Sequence, residues 1–356
     1  MFNKQTIKDI KFKGKTVLVR VDYNVPLKDG KITSDLRIKA SLPTLEYLIS
    51  GGAKKIILIS HLGRPEGTKV SELSLKPVAG ALANLVSVPV TFISDVSGPD
   101  VEEGIKKAPK GSIVLLENLR FWPGEEKNSS DFAREIVESV NADFFVQDGF
   151  AVIHRAHAST DAITRELPSV AGLLVEKEVS VLSSAISNPK KPVLVIIGGA
   201  KVEDKQPLID KFLPIADKIY VGGKIASDGY KPNSEKIVVA ADFKTDSEGN
   251  KLDISDSDTE KLLELVAGAK TIVWNGVLGK VEDKPFDEAS LKLAEAIGVR
   301  DDLTSVICGG DTAGYVENLI ETRPELKYSL VSTGGGASLE LLSGLELPGL
   351  EALEDK

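Results

Sequence analysis

Side chains that bind anions are concentrated in the first half of the chain. Seven of the nine arginines lie before residue 188, and so do all three histidines, His61, His154 and His157. Arginine guanidinium groups bind carboxylates and phosphates through paired hydrogen bonds, so several arginines that converge would hold a small anionic substrate. The segments that carry such side chains lie at 20–26, 60–65, 116–121 and 148–157.

Glycine-rich turns are concentrated in the second half, at 198–201, 308–312 and 332–336. Glycines between a strand and a helix let backbone N–H groups surround a phosphate at the helix N-terminus. Lys201 and Lys205 lie one helical turn apart, so both ammonium groups could reach the same phosphates. The first turn matches neither Gly-x-x-x-x-Gly-Lys-Ser/Thr nor Gly-x-Gly-x-x-Gly. The second half is nevertheless predicted to bind a nucleotide.

Charge is distributed unevenly along the chain, whose formal net charge is −9. Residues 1–187 carry 24 Lys and Arg against 23 Asp and Glu, whereas residues 188–356 carry 20 against 30. An acidic lobe that binds a polyphosphate needs a divalent cation, so we expect Mg²⁺. Asp311 is the candidate protein ligand. Two alternatives stay open, because an acidic surface also aids solubility and because Asp311 or Thr312 could simply cap a helix.

Composition argues against several classes of protein. Aromatic residues make up 5% of the chain, too few for a nucleic-acid binder that stacks bases. The single cysteine, Cys308, allows no internal disulfide, which fits a reducing compartment, and its apolar surroundings indicate a small buried residue. No apolar stretch approaches the roughly 18–20 residues that span a membrane. We therefore expect a cytoplasmic protein with neither a nucleic-acid nor a membrane partner.

Short runs rich in β-branched residues alternate with amphipathic stretches throughout the chain. Strands are predicted at 16–21, 55–60, 112–117, 144–147, 192–197, 218–221, 236–240, 271–274, 305–307 and 328–331. Helices are predicted at 36–50, 75–85, 130–140, 168–187, 204–212, 258–267, 286–297 and 312–321. Such alternation predicts an α/β fold in which helices cover both faces of parallel sheets. Because 356 residues exceed one core, we expect two doubly wound, Rossmann-like domains joined by a hinge helix at 168–187.

The four anion-binding segments follow predicted strands, and ligands of parallel sheets bind at the carboxyl ends of strands. Asp22 and Asn24 alternate with apolar neighbours, so both face one side and are placed to bind substrate hydroxyls. Their alternative use is to cap a turn. Arg64, Arg120 and Arg155 follow the second, third and fourth strands. Together these residues predict one basic bowl that binds a phosphate.

Eight motifs occur in the order found in phosphoglycerate kinases, and the chain resembles that family over nearly its whole length. They lie at 20–26, 61–64, 116–121, 154–157, 198–205, 274–276, 309–312 and 332–339, and a closing Leu347-Pro348-Gly349 follows them. The resemblance implies reversible transfer of a phosphoryl group from 1,3-bisphosphoglycerate to ADP, which gives 3-phosphoglycerate and ATP. It also implies a monomer that closes about a hinge, with ATP or ADP as co-substrate and Mg²⁺ as cofactor.

The resemblance also assigns roles to individual residues. Those implied to bind 3-phosphoglycerate are Asp22, Asn24, Arg37, His61, Arg64, Arg120 and Arg155. Those implied to bind the nucleotide are Gly199, Lys201, Lys205, Asn275, Glu282, Gly309, Gly310, Asp311 and Thr312, with Asp311 on the metal and Glu282 on the ribose. Charge on the transferring phosphoryl group would be stabilised by Arg37, Lys201 and the backbone of Gly334 and Gly335. Such transfer needs positioning more than covalent chemistry, so we expect no histidine nucleophile.

On this basis we expect four segments. They are a substrate domain at 1–167, a linker helix at 168–187, a nucleotide-binding domain at 188–335, and a C-terminal segment at 336–356 that packs back on the substrate domain.

The chain departs from the family pattern in the nucleotide domain. Val277 stands where the family has proline, and Lys224 stands where a third glycine is usual. Ser255-Asp256-Ser257-Asp258 replaces a Gly-Pro pair. These departures leave the nucleotide preference open.

Two other classes of function remain to be weighed. One is a non-catalytic binder derived from the same fold, although the retained lysines, Asp311 and glycine turns argue against it. The other is a different kinase that acts on a phosphorylated acid, although the seven-residue substrate set argues against that.

Overall fold

Two parallel β-sheets organise the chain, and the structure, a computed structural model, describes residues 2–332 and 334–356. Contacts divide the chain into two units. The N-terminal unit comprises Phe2–Lys177 and Glu346–Lys356, and the C-terminal unit comprises Glu178–Leu345. Each unit contains one six-stranded sheet.

The N-terminal unit alternates strands with helices. Its strands are β1 Thr16–Arg20, β2 Leu27–Lys28, β3 Lys31–Ile32, β4 Lys55–Ile59, β5 Val90–Ile93, β6 Ser112–Leu116, β7 Phe144–Gln147 and β8 Ser169–Ala171. Its helices are α1 Leu36–Ser50, α2 Lys76–Ala83, α3 Pro99–Lys107, α4 Pro123–Glu126, α5 Ser130–Val140 and the first part of α6 Leu173–Ser187. The sheet has the order β5-β6-β4-β1-β7-β8, and all its neighbouring strands are parallel.

Both faces of the N-terminal sheet are covered by apolar side chains. Val17 and Val19 of β1 belong to one buried cluster together with Leu45 of α1. Leu18 lies between them in sequence and belongs to a second cluster with Ile136 of α5. Because successive side chains of a strand point to opposite faces, a sheet covered on both sides requires the continuous apolar run seen in β1. The predicted doubly wound α/β class is confirmed.

The C-terminal unit repeats this architecture. Its strands are β9 Val193–Ile197, β10 Lys218–Val221, β11 Ile237–Val239, β12 Phe243–Thr245, β13 Lys251–Ile254, β14 Thr271–Asn275, β15 Thr304–Cys308 and β16 Leu330–Val331. Its further helices are α7 Gln206–Phe212, α8 Gly223–Ser227, α9 Asp256–Gly268, α10 Glu288–Gly298, α11 Gly310–Thr322 and α12 Gly336–Leu342, and the chain ends with α13 Pro348–Glu351 in the N-terminal unit. The parallel sheet has the order β11-β10-β9-β14-β15-β16. Within 2–332 and 334–356, no helix has the length and apolarity that a membrane crossing requires.

The predicted residue bounds agree best with the structure for inner strands and long helices. The strand at 144–147 and the helices at 36–50 and 130–140 are confirmed at both ends. The prediction missed β5, α3 and the antiparallel pair of β12 and β13. All four residues of β5 are only partly buried, because the strand lies at the sheet edge. An inner strand is buried by a neighbouring strand on each side, whereas β5 has a neighbour on one side only.

The predicted helix at 168–187 is wrong over its first residues. Ser169–Ala171 forms β8, which pairs in parallel with β7, and α6 begins only at Leu173. The edge of β7 supplies backbone partners there, and these inter-strand hydrogen bonds prevail over the local helical spacing of apolar residues. The division between the units falls within α6, between Lys177 and Glu178.

The C-terminal stretch is divided between the units. Helix α12 stays with the C-terminal unit, where the hydroxyls of Ser332 and Ser338 form a buried hydrogen bond of 2.6 Å. Glu346–Lys356 belongs to the N-terminal unit, where Lys4 Nζ donates to the carbonyl oxygen of Leu353 at 3.0 Å. The boundary expected at residue 336 therefore lies earlier than the one the structure shows.

Candidate binding sites

The carboxyl ends of β6, β4, β1 and β7 lie side by side, and the predicted anion-binding residues follow them. Asn118, after β6, ties two of these segments together. Its side chain accepts from the Leu62 N–H at 3.1 Å and donates to the Leu62 carbonyl oxygen at 2.7 Å. Arg120 adds a second tie, because its Nη1 donates to the carbonyl oxygen of Gly63 at 2.8 Å. The turn that carries His61 and Arg64 is therefore held in shape by its neighbour.

Asp22, Asn24 and Arg37 meet at the end of β1. Arg37 Nη1 donates to Asp22 Oδ2, and the Asp22 side chain is largely buried. Asp22 Oδ1 accepts from the Asn24 N–H at 3.1 Å, and Asn24 Oδ1 accepts from the Gly63 N–H at 2.9 Å. Asp22 thus orients Arg37, while Asn24 joins the end of β1 to the turn that follows β4.

His61 lies buried beside these residues, and its Nδ1 is 3.1 Å from Nη2 of Arg20. Burial, together with the positive charges of Arg20, Arg120 and Arg37, holds the pKa of His61 well below its ordinary value. The ring is therefore neutral at physiological pH. A neutral imidazole presents one N–H donor and one acceptor nitrogen.

Three further arginines complete this group. Arg64 is exposed and has no hydrogen-bond or ion-pair partner in the described part of the chain. Arg120 is almost fully buried, and its Nε lies 3.1 Å from Oε1 of Glu126. Arg155 is partly buried, and its Nε lies 3.2 Å from Nε2 of His154. The charges of Arg155 and Arg64 both act on Arg120, so the three guanidinium groups lie near one another. We call the predicted set the basic bowl; it consists of Asp22, Asn24, Arg37, His61, Arg64, Arg120 and Arg155.

The sequence-based prediction missed a buried arginine and a buried carboxylate that a serine joins beside His61. Arg20 Nε donates to Ser159 Oγ at 2.8 Å, and Ser159 Oγ donates to Glu125 Oε1 at 2.7 Å. Burial raises the pKa of Glu125 and lowers the pKa of Arg20 to about 10. Arg20 stands within a recognised motif, but no sequence pattern marks Glu125 or Ser159. Only the tertiary structure brings these three residues together, because they lie far apart in the sequence.

In the C-terminal unit, the glycine turn that follows β9 packs directly against the turn that follows β14, and we call this contact the glycine crossing. The Gly199 N–H donates to the Val277 carbonyl oxygen at 2.9 Å. A Cβ on Gly198 would lie 2.3 Å from the Val277 carbonyl oxygen, and one on Gly276 would lie 2.2 Å from the Gly198 carbonyl carbon. Gly276 also has a φ of +101°. Both positions therefore require glycine.

Polar side chains gather beside this crossing. Lys205 Nζ donates to Asn275 Oδ1, and Asn275 Nδ2 lies 3.3 Å from Cys308 Sγ. The Gly276 N–H donates to Thr312 Oγ1 at 2.7 Å. Burial lowers the pKa of Lys205 and raises the pKa of Cys308 to about 11, so this thiol stays protonated. The expectation that Cys308 is a small buried residue is confirmed.

Seven of the nine predicted nucleotide-binding residues line one pocket of about 260 Å³, and Asn275 and Glu282 do not. The N-terminus of the 13-residue helix α11 opens on it, and Lys201 and Asp311 are exposed at its wall. Backbone N–H groups at a helix N-terminus, two lysines and a threonine hydroxyl are the donors that a polyphosphate requires. The lining residues are Gly199, Ala200, Lys201, Asp204, Lys205, Gly276, Val277, Gly309, Gly310, Asp311 and Thr312. We call this the phosphate pocket.

A second pocket of about 260 Å³ continues from the first, with which it shares Gly199, Ala200, Val277 and Asp311. Glu282 lies here and is absent from the wall of the phosphate pocket. The other lining residues are Gly223, Lys224, Phe243, Lys251, Leu252, Asp253, Leu278, Gly279 and Lys280. Its aromatic and aliphatic walls suit a base and a sugar rather than a phosphate. We call this the base pocket.

The last predicted glycines precede α12. The Gly334 N–H donates to Ser332 Oγ at 3.1 Å, and Gly335 has a φ of +51°. Thr333, which belongs to the same predicted motif, lies outside the described residues. The Gly334 N–H is therefore engaged within its own turn.

Comparison with known proteins decides the family. A sequence model described as phosphoglycerate kinase matches residues 7–237 and 227–345. The chain belongs to the phosphoglycerate kinase family. It is a phosphotransferase of glycolysis that transfers a phosphoryl group reversibly from 1,3-bisphosphoglycerate to ADP, with 3-phosphoglycerate and ATP as products. The activity predicted from the sequence is confirmed.

Two solved structures of phosphoglycerate kinases are similar along the whole chain. The enzyme from Coxiella burnetii is 31% identical, with 98% of each chain covered and a TM-score of 0.79. The enzyme from Pyrococcus horikoshii OT3 is 30% identical, with 98% of each chain covered and a TM-score of 0.84.

The acidic side chains near the phosphate pocket determine whether the predicted Mg²⁺ fits there. Among the described residues, no group of three or more His, Cys, Asp or Glu side chains is arranged to hold a metal ion. Mg²⁺ binds proteins most often through one or two carboxylates together with substrate phosphates. The exposed carboxylate of Asp311 at the wall of the phosphate pocket is a single carboxylate of the kind that such a site would use.

The departures from the family pattern have different structural consequences. Ser255 caps α9, because its Oγ accepts from the Asp258 N–H at 3.2 Å, and neither residue lines a pocket of the nucleotide site. Lys224 lines the base pocket, where its ammonium group pairs with Asp228 at 2.9 Å. Val277 contributes its carbonyl oxygen to the glycine crossing. Of these departures, Lys224 and Val277 line the two pockets.

Proposed function

We propose that the basic bowl binds 3-phosphoglycerate and 1,3-bisphosphoglycerate. The observation that carries this assignment is the convergence of arginine side chains and a neutral histidine at adjoining strand ends. 3-Phosphoglycerate has a carboxylate and a phosphate, and so supplies enough negative charge for several guanidinium groups. Asp22 does not repel it strongly, since the Asp22 carboxylate is paired with Arg37.

The nucleotide is proposed to extend along the two pockets of the C-terminal unit. The phosphate groups of ATP or ADP would lie in the phosphate pocket, and the base and ribose in the base pocket with Glu282 on the ribose hydroxyls. Asp311 would hold Mg²⁺, which when bound offsets part of the polyphosphate charge. The other proposed nucleotide-binding residues are Gly199, Lys201, Lys205, Gly309, Gly310 and Thr312, which line the phosphate pocket, and Asn275, whose Oδ1 accepts from Lys205 Nζ.

For the chemical step, this chain's own groups would position the reactants and stabilise charge. An oxygen of the ADP β-phosphate attacks the acyl phosphate of 1,3-bisphosphoglycerate, and the carboxylate of 3-phosphoglycerate leaves. Arg37 and Lys201 would stabilise the charge on the transferring group. Gly334 and Gly335 were predicted to stabilise the same charge through their backbone N–H groups. The Gly334 N–H donates to Ser332, whereas the Gly335 N–H donates to no described residue. The reaction needs no proton from a histidine, and the low pKa of His61 supports such a mechanism.

The enzyme is proposed to act as a monomer in the cytoplasm. Its single, buried cysteine needs no oxidising compartment, and both of its substrates are small molecules. Light scattering on the purified chain tests the first statement, since a dimer would double the mass of 38.1 kDa.

The decisive assay measures phosphoryl transfer from ATP to 3-phosphoglycerate with Mg²⁺, coupled to reduction of the 1,3-bisphosphoglycerate formed. Other nucleotides run beside ATP test the base pocket. Arg64→Ala is expected to raise the KM for 3-phosphoglycerate but not the KM for ATP. Its matched control is Arg134→Ala, an exposed arginine of α5 that pairs with Asp131. Tight binding of 3-phosphoglycerate without turnover by any nucleotide would instead favour the non-catalytic binder.

A further inference from the structure

The histidine of the bowl is in contact with an arginine that the chemistry itself does not use. Nδ1 of His61 lies 3.1 Å from Nη2 of Arg20, and both side chains are almost completely buried. A guanidinium group has only donors, so Arg20 donates and Nδ1 accepts. A neutral histidine that accepts at Nδ1 carries its proton on Nε2.

The other charged neighbours of His61 do not stabilise a proton on Nδ1. Asp22 Oδ1 is 3.9 Å from Nδ1, which is beyond hydrogen-bond distance, and the Asp22 carboxylate is already engaged by Arg37. A proton on Nδ1 would therefore point at the donor of Arg20 without an acceptor within reach. The remaining charged or titratable groups that act on His61 are Arg37, Arg120 and His157. All are cations or can become cations, so they oppose an imidazolium.

Arg20 is itself held in place from the opposite side. Its Nε donates to Ser159 Oγ at 2.8 Å, and its Nη1 donates to the carbonyl oxygen of Val21. Ser159 is held by Glu125, whose carboxylate accepts from both the hydroxyl and the backbone N–H of Ser159, at 2.7 and 3.0 Å. Glu125 is fully buried and balances the charge of Arg20. The guanidinium group therefore cannot turn away from His61 without losing these partners.

We propose that Arg20 is a positioning residue that locks His61 in the Nε2–H tautomer, so that His61 acts as a permanent neutral hydrogen-bond donor to the glycerate substrate. The inference rests on the proposed role of the bowl in substrate binding. Nε2 of His61 forms no hydrogen bond with any residue in 2–332 or 334–356, and so its proton is left for a ligand oxygen. Free histidine titrates near pH ~6.5, but this donor keeps its proton on both sides of that value.

The tautomer can be observed directly by ¹⁵N spectroscopy of the histidine rings in the ligand-free enzyme. The chain has three histidines, and His61→Gln identifies which signals belong to His61. We expect a pyrrole-type Nε2 and a pyridine-type Nδ1 that do not change from pH about 5.5 to about 8, across the ordinary histidine pKa. A pyrrole-type Nδ1, or an imidazolium at neutral pH, would overturn the proposal.

Arg20→Lys tests the link from the arginine to the histidine. Lysine keeps the charge but loses the fork that contacts Ser159 and His61 together. We expect a mixture of His61 tautomers and a rise of about tenfold in the KM for 3-phosphoglycerate, with kcat and the KM for ATP within about twofold. Arg134→Lys is the control and should change neither quantity. An unchanged tautomer in Arg20→Lys would show that Arg20 has only a structural role.

Two substitutions of His61 decide the question even if Arg20→Lys does not fold. The amide N–H of glutamine can occupy the position of Nε2, whereas that of asparagine occupies the position of Nδ1. His61→Gln is expected to bind 3-phosphoglycerate about tenfold more tightly than His61→Asn. Equal binding, or the reverse order, would contradict a donor at Nε2.

The tautomer is measured without substrate, so its outcome is independent of the proposed function. Addition of 3-phosphoglycerate should shift the Nε2 signal of His61. If the Nε2–H tautomer is found but 3-phosphoglycerate leaves the signal unchanged, the bowl does not bind the glycerate through His61. The proposed role of Arg20 would then be wrong, and so would the proposed binding of 3-phosphoglycerate by His61.

Discussion

The backbone N–H of Gly276 donates a hydrogen bond of 2.7 Å to Oγ1 of Thr312. The bond joins the turn after β14 to the first turn of α11, and Thr312 is almost completely buried. Because the hydroxyl accepts from Gly276, its own proton remains available to donate to a phosphate oxygen. One side chain thus holds two glycine-rich turns together and presents a donor to the phosphate pocket.

Thr312→Val is expected to weaken both stability and nucleotide binding. Valine keeps the shape but removes the acceptor, which leaves a buried N–H on Gly276 and costs about 1–3 kcal/mol in the free energy of unfolding. The KM for ATP should rise, and the KM for 3-phosphoglycerate should not. Urea unfolding and the coupled assay measure the two effects. Thr312→Ser retains the hydroxyl and should stay near the wild type in both; an equal loss in Thr312→Ser would contradict the role of the hydroxyl.

Gly276→Ala is expected to prevent stable folding of the C-terminal unit. The added Cβ would lie 2.2 Å from backbone atoms of Gly198, at a φ that favours glycine. The combined clash and strain should cost about 3 kcal/mol or more. Gly314→Ala is the matched control, since Gly314 lies within α11 with nothing within 4 Å of an added Cβ. That substitution should stabilise the protein by about 0.5–1 kcal/mol. Similar melting temperatures for the two variants would contradict the packing argument.

Arg37→Ala should impair turnover far more than folding. If Arg37 stabilises the charge of the transferring phosphoryl group, its loss should cost about 2.7–4 kcal/mol, or a factor of 10² to 10³ in kcat, by analogy with other transition-state donors. Steady-state kinetics measure this effect, and circular dichroism checks the fold. Arg134→Ala should retain full activity. Unchanged turnover in Arg37→Ala would remove the residue from the chemical step.

Asp148 should make stability depend on pH between about 4 and 7. Burial raises its pKa to about 7, although its Oδ1 accepts from the Leu174 N–H at 3.0 Å. The Asp148 carboxyl therefore binds its proton more tightly in the folded protein than in the unfolded chain. As the pH rises, the unfolded chain loses this proton first. Stability then falls with rising pH until about 7 and stays level above it, a total change of up to about 4 kcal/mol.

Asp148→Asn isolates this effect, because asparagine mimics the protonated carboxyl and keeps an acceptor for Leu174. The difference in unfolding free energy between Asp148→Asn and the wild type should grow from pH about 4 to about 7, in favour of the variant. Asp131→Asn, at an exposed position of α5, should differ from the wild type by less than about 0.5 kcal/mol throughout. A constant difference for Asp148→Asn would show that the carboxyl does not titrate in that range.

Much of the basic bowl was predictable because the carboxyl ends of parallel strands meet at one edge. Once β1, β4, β6 and β7 were recognised, residues directly after them had to be neighbours, whatever the order of the strands. Arg64 and Arg120 could therefore be assigned to one bowl from sequence spacing alone. The glycines of the phosphate pocket were predictable for a similar reason, since they stand in turns between a strand and a helix.

Other features had no local signal. Arg20 closes an apolar strand, and nothing in its neighbours shows that its guanidinium group is buried against Ser159 and above Glu125. The residues Ser169–Ala171 have the spacing of a helix, but the open edge of β7 makes them a strand. Ser255–Asp258 looked like an altered nucleotide pocket and proved to be the start of a helix.

The sequence by itself therefore determined the α/β class, the family and the chemical types of the groups in the basic bowl and the phosphate pocket. It did so because hydrophobic periodicity, strand-end motifs and glycine turns are local properties of the chain. Only the tertiary structure decided which nitrogen of His61 carries the proton, which N–H groups are already engaged, and where β8 ends and α6 begins. Those properties depend on hydrogen-bond partners that are distant in sequence. Such partners are required because a buried polar group without a hydrogen bond destabilises the fold.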